Sequence, residues 1–134
     1  MGSEDLLARA RHAQGHAYAP VSGYRVGAAI VAADGTIWEG CNVEHVVLPE
    51  TVCAEKTALV KAISEGHRAF TAVAVWTDSA VPASPCGSCR QMLFQWGVTA
   101  VYLGNPQGSR VETTMAELLP LAFALDVGDL RGSS

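Results

Sequence analysis

Phe70-Thr71-Ala72-Val73-Ala74-Val75-Trp76 reads as a near-continuous apolar strand, the kind buried on both faces of a sheet. Helices and strands alternate outward from it. Downstream, Gly87 to Trp96 reads as a helix closed by Gly97, and Thr99 to Leu103 as another buried strand before a turn at Gly104-Asn105-Pro106. Thr114-Met115-Ala116-Glu117 is a capping box that opens a short last helix ending near Pro120. Upstream, Val26 to Ala33 and Thr36 to Val43 form a hairpin about Asp34-Gly35. Thr51, after Pro49, is the expected cap of a helix with Leu59 and Ile63 on its inner face, stopping at Gly66. At the start, Ser3 caps a helix with Glu4 and Asp5 in its first turn, and Leu6, Ala10, Ala13 and Ala17 recur at helical spacing until Pro20. This order predicts an α/β fold: one mixed sheet with helices on both faces.

The length of 134 residues suits one domain with a real core. We therefore expect a single domain over residues 1–134, with a disordered tail over 131–134. Hydrophobic residues make up 49 %, which argues against a largely disordered chain, and charged residues only 16 %, which suggests that other subunits cover part of the surface. The net charge is −4, and nine Lys and Arg are scattered without a cluster. That pattern argues against a nucleic-acid polymer as partner. No stretch approaches the roughly 20 apolar residues of a membrane span. Met1-Gly2-Ser3-Glu4-Asp5 lacks the basic-then-apolar order of a signal peptide, so the expected location is cytoplasmic.

In that compartment four cysteines with a C-x-x-C read as metal or redox chemistry rather than disulfides. Cys53-Ala54-Glu55 lies in the first turn of one expected helix, and Cys86 and Cys89 open the next, on one face. Two helix N-termini thus converge, each favouring thiolate over thiol. Three thiolates leave a zinc ion one ligand short of four, which separates a catalytic site from a structural one. Glu55 is placed to carry protons for a water in the open position. Three thiolates would also blunt the ion's Lewis acidity, and Lys56 and Arg90 can offset some of that charge. Other readings stand beside this one. Glu55 also fits an ordinary acid in a first helical turn, and Cys86-Gly87-Ser88-Cys89 also fits a redox pair. A structural zinc would need a fourth ligand from Cys41, His12, His16, His45 or His67, none of which has a close-spaced partner.

Several separate segments, in order, make the chain similar to the small homotetrameric zinc-dependent cytidine deaminases along nearly its whole length. They are Ala17-Tyr18-Ala19-Pro20, Val26-Gly27-Ala28-Ala29, Gly40-Cys41-Asn42-Val43-Glu44, Cys53-Ala54-Glu55, Pro85-Cys86-Gly87-Ser88-Cys89-Arg90-Gln91 and Leu118-Leu119-Pro120. Zinc deaminases as a class pair a proton-shuttling glutamate with a P-C-x-x-C ligand motif. The resemblance implies a three-layer α-β-α fold with a mixed sheet of about five strands, and a homotetramer with shared active sites. It implies Zn2+ held by Cys53, Cys86 and Cys89, with Glu55 moving protons as water replaces the C4 amine of a cytosine nucleoside. Asn42 and Glu44 would bind the ribose 3′-hydroxyl, and the backbone around Ala54 and Ser84 the base edge and departing amine. Tyr24, where the family usually has phenylalanine, would line the base pocket, and Phe123 of a neighbouring subunit would stack on the base. The strand spacing of Asn42 and Glu44 puts both side chains on one face, where an amide and a carboxylate suit a sugar hydroxyl. Two polar residues at a strand end are also common without any ligand.

The chain departs from the family pattern at Lys56, where an arginine usually bridges the zinc thiolates, and at His45-Val46-Val47-Leu48-Pro49-Glu50, where Asn-Ala-Ser-Tyr-Gly-Leu is usual. The related blasticidin S deaminases also carry a histidine at the position of His45. The first expectation is hydrolytic deamination of cytidine and 2′-deoxycytidine in pyrimidine salvage. The second keeps the chemistry but moves the substrate to a modified cytosine nucleoside or blasticidin S. The third, from another class, is a non-catalytic zinc- or nucleoside-binding protein, against which the intact Glu55 argues.

Overall fold

The computed structural model of this chain describes residues 2–124. Within them, helix α1 (Ser3–Gln14) precedes strands β1 (Val26–Ala32) and β2 (Ile37–Cys41), helix α2 (Ala54–Ser64), β3 (Phe70–Thr77), α3 (Gly87–Gln95), β4 (Ala100–Gly104), β5 (Arg110–Thr114) and α4 (Met115–Leu118). The strands form one sheet in the order β2-β1-β3-β4-β5. Only β3 and β4 run parallel, joined through α3; the other pairs are antiparallel. The mixed, doubly covered sheet agrees with the expectation from sequence. The expected tail over 131–134 lies outside the described residues.

Side-chain alternation splits the core into two. Ile30, Val73, Val75, Val101 and Leu103 point to the face covered by α2 and α3, together with Leu59 and Leu93. Ala29, Ala74 and Trp76 point to the other face, against Leu6, Leu7 and Ala10 of α1. The central strand from Phe70 is therefore apolar on both sides because helices cover both. No helix among the described residues is long and apolar enough to cross a membrane.

Four local expectations need correction. Thr51 does not cap α2: a 3-10 turn at Leu48–Glu50 ends on it, Val52 pairs back to Val43, and Cys53 is the N-cap. The Val43–Val52 bridge keeps the chain extended, so helix begins only after Cys53. Gly2, not Ser3, is the N-cap of α1. That helix stops at Gln14, short of Ala17, because Tyr18 pairs with Val43 and draws the chain back toward the sheet. Strand β5 has no counterpart among the strands read from sequence; its Arg110-Val111-Glu112-Thr113-Thr114 is an exposed edge without an apolar face. Thr114 does cap α4, accepting from the Glu117 backbone N–H at 3.2 Å.

Candidate active site

The three cysteines meet where α2 and α3 begin. Cys53 and Cys86 are the N-caps of those helices, and neither cap makes a side-chain hydrogen bond to its own helix. Both sulfurs are thereby free to turn outward, while Cys89 faces them from the first turn of α3. The three sulfurs lie within 4.8 Å of one another, and no other group of three or more possible metal ligands occurs among the described residues. They compete for protons. Hydrogen bonds from Cys89 and then Cys86, with the charge of Lys56, draw the Cys53 thiol down to about 6 against the opposing effect of burial. The same bond pushes Cys89 up, burial adding to it. A divalent ion held there would replace those protons, and a tight, partly buried set of three sulfurs suits zinc. No histidine joins the set, and Cys41 is a separate half-buried thiol in β2 whose pKa burial raises.

Glu55, in the first turn of α2, is buried at 5 % exposure. Burial pushes its carboxyl up to about 7; its own backbone N–H opposes the rise and the Cys53 charge adds to it. Glu55, Cys53, Ala54, Ser84 and Cys86 line a cavity of about 300 Å³. Tyr24, Asn42 and Glu44 line it too, with Ser22, Thr51 and Thr77. A larger cavity of about 460 Å³ beside α4, between Phe94 and Ala122, carries no ionisable side chain in its lining. Cys53, Cys86 and Glu55 thus face the smaller one, while Cys89 is fully buried beside them.

Asn42 and Glu44 are both buried, and both already hold backbone. Asn42 accepts from the Val26 N–H at 2.9 Å and donates to the Tyr24 carbonyl at 2.7 Å. Glu44 accepts from the N–H groups of Val21 and Ser22, each at 2.9 Å, and from the Ser22 hydroxyl. The Ser22 bonds, helped by Val21, keep the Glu44 carboxyl below the usual range and leave an ionised acceptor at the cavity wall. Of the residues expected at the site, Phe123 alone is not brought in: it is exposed at 69 %, and its carbonyl accepts from Gln91 at 2.9 Å. Ser22 and Thr77 were not anticipated. Ser22 could have been suspected only as a turn hydroxyl within reach of a buried acid.

Arg90 makes its hydrogen bonds to oxygen atoms around the sulfur centre. Its guanidinium donates to the Pro85 carbonyl at 2.7 Å, the Leu118 carbonyl at 2.8 Å and the Ser84 hydroxyl, fixing the loop that carries Cys86.

Comparison with known proteins settles the family. Residues 2–105 match the model of the cytidine and deoxycytidylate deaminase zinc-binding region. The chain belongs to this family. A cytidine deaminase of Sporosarcina psychrophila is 48 % identical, over 92 % of this chain and 93 % of that protein. The crystal structure of a cytidine deaminase from Burkholderia pseudomallei superposes with a TM-score of 0.88 at 42 % identity, over 92 % of this chain and all of that one. A blasticidin-S deaminase of Bacillus cereus is 36 % identical over 75 % of this chain and 77 % of that protein. The matched region is a zinc-binding one, and the three sulfurs are a group able to hold a metal ion.

Proposed function

We propose that this chain converts cytidine and 2′-deoxycytidine to uridine and 2′-deoxyuridine with release of ammonia, as a cytoplasmic enzyme of pyrimidine salvage. The observation that carries the reading is one cavity lined by two cysteines of a zinc-type sulfur centre, a buried proton carrier and the hydroxyl-binding groups Asn42 and Glu44. Cys53, Cys86 and Cys89 would hold zinc, which would supply Lewis-acid activation of water. Glu55 would take the first proton from the attacking water and deliver it to ring N3. It would then pass the second proton from the new C4 hydroxyl to the exocyclic nitrogen, so that ammonia leaves and C4 becomes a carbonyl. One carboxyl serves both transfers because it is out of solvent and cannot lose the proton to bulk water between them. Glu44, ionised and half-committed to Ser22, accepts from a ribose hydroxyl; Asn42 orients Tyr24 and the start of β1 beside it. Backbone at Ala54 and Ser84 meets the base edge.

Tyr18, Val21, Tyr24, Val46, Val47 and Leu48 are exposed apolar residues, and Val46 is exposed at 94 %. Such a surface supports a homotetramer in which a neighbour covers the mouth and supplies Phe123. Sedimentation as a monomer would contradict it. The departure at residues 45–50, with its histidine at position 45, favours a second reading, a modified cytosine nucleoside or blasticidin S as substrate, which a panel of cytidine, deoxycytidine and blasticidin S separates.

The deciding experiment is loss of cytidine absorbance with the zinc-loaded protein and with Glu55→Ala. Glu55→Ala keeps its zinc and loses at least about a thousandfold in kcat. Absence of turnover by the zinc-loaded wild type sinks the enzyme reading, and turnover retained by Glu55→Ala sinks the proton role.

A further inference from the structure

We propose that Ser79, which does not itself line the cavity, is a positioning residue that holds Tyr24 against the substrate through a chain of hydroxyls. The proposal rests on the deaminase reading above and adds a specificity element to it. Tyr24 belongs to the segment between α1 and β1, and its backbone is pinned on both sides: its N–H donates to the Ser22 hydroxyl at 2.9 Å and its carbonyl accepts from Asn42 at 2.7 Å. Only the side-chain torsions then remain to set where the ring stands. The phenol oxygen lies 3.2 Å from Ser79 Oγ, and Ser79 Oγ lies 2.6 Å from Thr77 Oγ1. Thr77 is buried at the end of β3 and lines the cavity, as Tyr24 does. Ser79 therefore joins two cavity-lining side chains from behind the wall.

Ser79 has its own anchor. Asn105 is fully buried after β4, and its side-chain amide donates to the carbonyls of Ser79 and Ala80, each at 2.9 Å. Its oxygen accepts from the Ser109 N–H at 2.9 Å. A buried amide with all its groups used is a stiff support. The chain Asn105–Ser79–Tyr24 thus ties the β4–β5 turn to the segment after β3, and that segment to the one before β1. With its hydroxyl turned back to Ser79, Tyr24 offers the cavity an aromatic ring rather than a free polar group, which suits a planar base. Tyr24 takes no part in the proton transfers assigned to Glu55, so this contact acts on substrate and transition state alike and reads in KM.

The test is a double-mutant cycle in cytidine deamination with Tyr24→Phe, Ser79→Ala and the pair, with Ser79→Thr as the conservative variant. Each single change raises KM about three- to tenfold and leaves kcat within about twofold, and the pair is no worse than the weaker single variant. Ser79→Thr keeps a hydroxyl and returns KM toward the wild-type value. Additive effects on KM, an unmoved KM or a parallel fall in kcat overturns the proposal. Amide hydrogen exchange is measured in parallel and needs no activity: Ser79→Ala speeds exchange at residues 20–26. Unchanged exchange there overturns the tie even if the protein deaminates nothing, while failure of the wild type to turn over cytidine overturns only the reading of function.

Discussion

Helices α1 and α2 approach the sheet by the same device from opposite sides, yet only one delivers chemistry. Each lies over a glycine. A Cβ on Gly27 would stand 1.9 Å from the Ala10 carbonyl oxygen of α1, and one on Gly40 would stand 2.3 Å from the Ala58 nitrogen of α2. Both helices bury small residues there: Ala10 and Ala13 in α1, Ala54, Ala58 and Ala62 in α2. They differ at their N-termini. The first turn of α1 carries Glu4 and Asp5 in solvent, which satisfies the dipole and ends the matter. The first turn of α2 faces the cavity, and its only acid, Glu55, is buried beside a sulfur centre. The close approach is a packing device, and the use of the helix end decides whether it becomes a functional one.

The largest expected effect comes from filling the two glycines. Gly27→Ala and Gly40→Ala each push a helix backbone off the sheet and each destabilise by about 3 kcal/mol or more. Their consequences for zinc diverge. Gly40→Ala shifts Ala54 directly, since its Cβ would also meet the Ala54 carbonyl oxygen at 2.6 Å, so zinc per folded molecule falls along with activity. Gly27→Ala keeps zinc stoichiometry in whatever fraction folds at low temperature. Thermal melts with a colorimetric zinc assay read both. Equal zinc loss in the two variants breaks the distinction between the faces.

Sequence made one face more legible than the other for a physical reason. Cys53, Glu55, Cys86 and Cys89 could be read because metal chemistry needs particular atoms at particular spacings, whatever surrounds them. The doubly buried strand from Phe70 was equally plain, since covering both faces demands apolar residues at every position. Thr51 misled because a bridge between Val43 and Val52 is a tertiary matter that outweighs a good capping residue. Strand β5 escaped because an edge strand with an open face carries no alternation to detect. Ser22 and Ser79 were invisible for a third reason: a serine hydroxyl gains its meaning from Glu44 or Tyr24, distant in sequence and brought close only by the fold.

Removing zinc sharpens the comparison at a smaller scale. An ion bound a thousandfold above its Kd adds about 4 kcal/mol, so a chelator lowers the Tm by on the order of 10 °C. The loss concentrates where the sulfurs join the helices. Amide exchange rises in the first turns of α2 and α3 and stays level in α1. A uniform rise would mean that the ion supports the whole domain rather than one face.

The smallest effect belongs to the side of α1. Glu39 of β2 accepts from His12 at 2.7 Å and from Arg9, both in α1, while Lys61 of α2 donates to its backbone carbonyl. Burial raises the Glu39 carboxyl, but the hydrogen bonds and charges of His12 and Arg9 outweigh it and leave the pKa below the ordinary 4.5. A carboxyl depressed in the folded state stabilises fully above its unfolded pKa, and the contribution fades as pH falls through the lower folded value. Glu39→Gln therefore lowers the Tm near neutral pH by an amount worth less than about 1 kcal/mol, because the pair is partly exposed. The gap between the two proteins closes as the pH is taken below the ordinary carboxylate range. Lys61 keeps its backbone partner in the variant, so α2 stays in place, and kcat and zinc content do not move. A fall in kcat at neutral pH would show that the α1 side feeds the active site, and a gap that persists in acid would show that Glu39 contributes by shape rather than by charge.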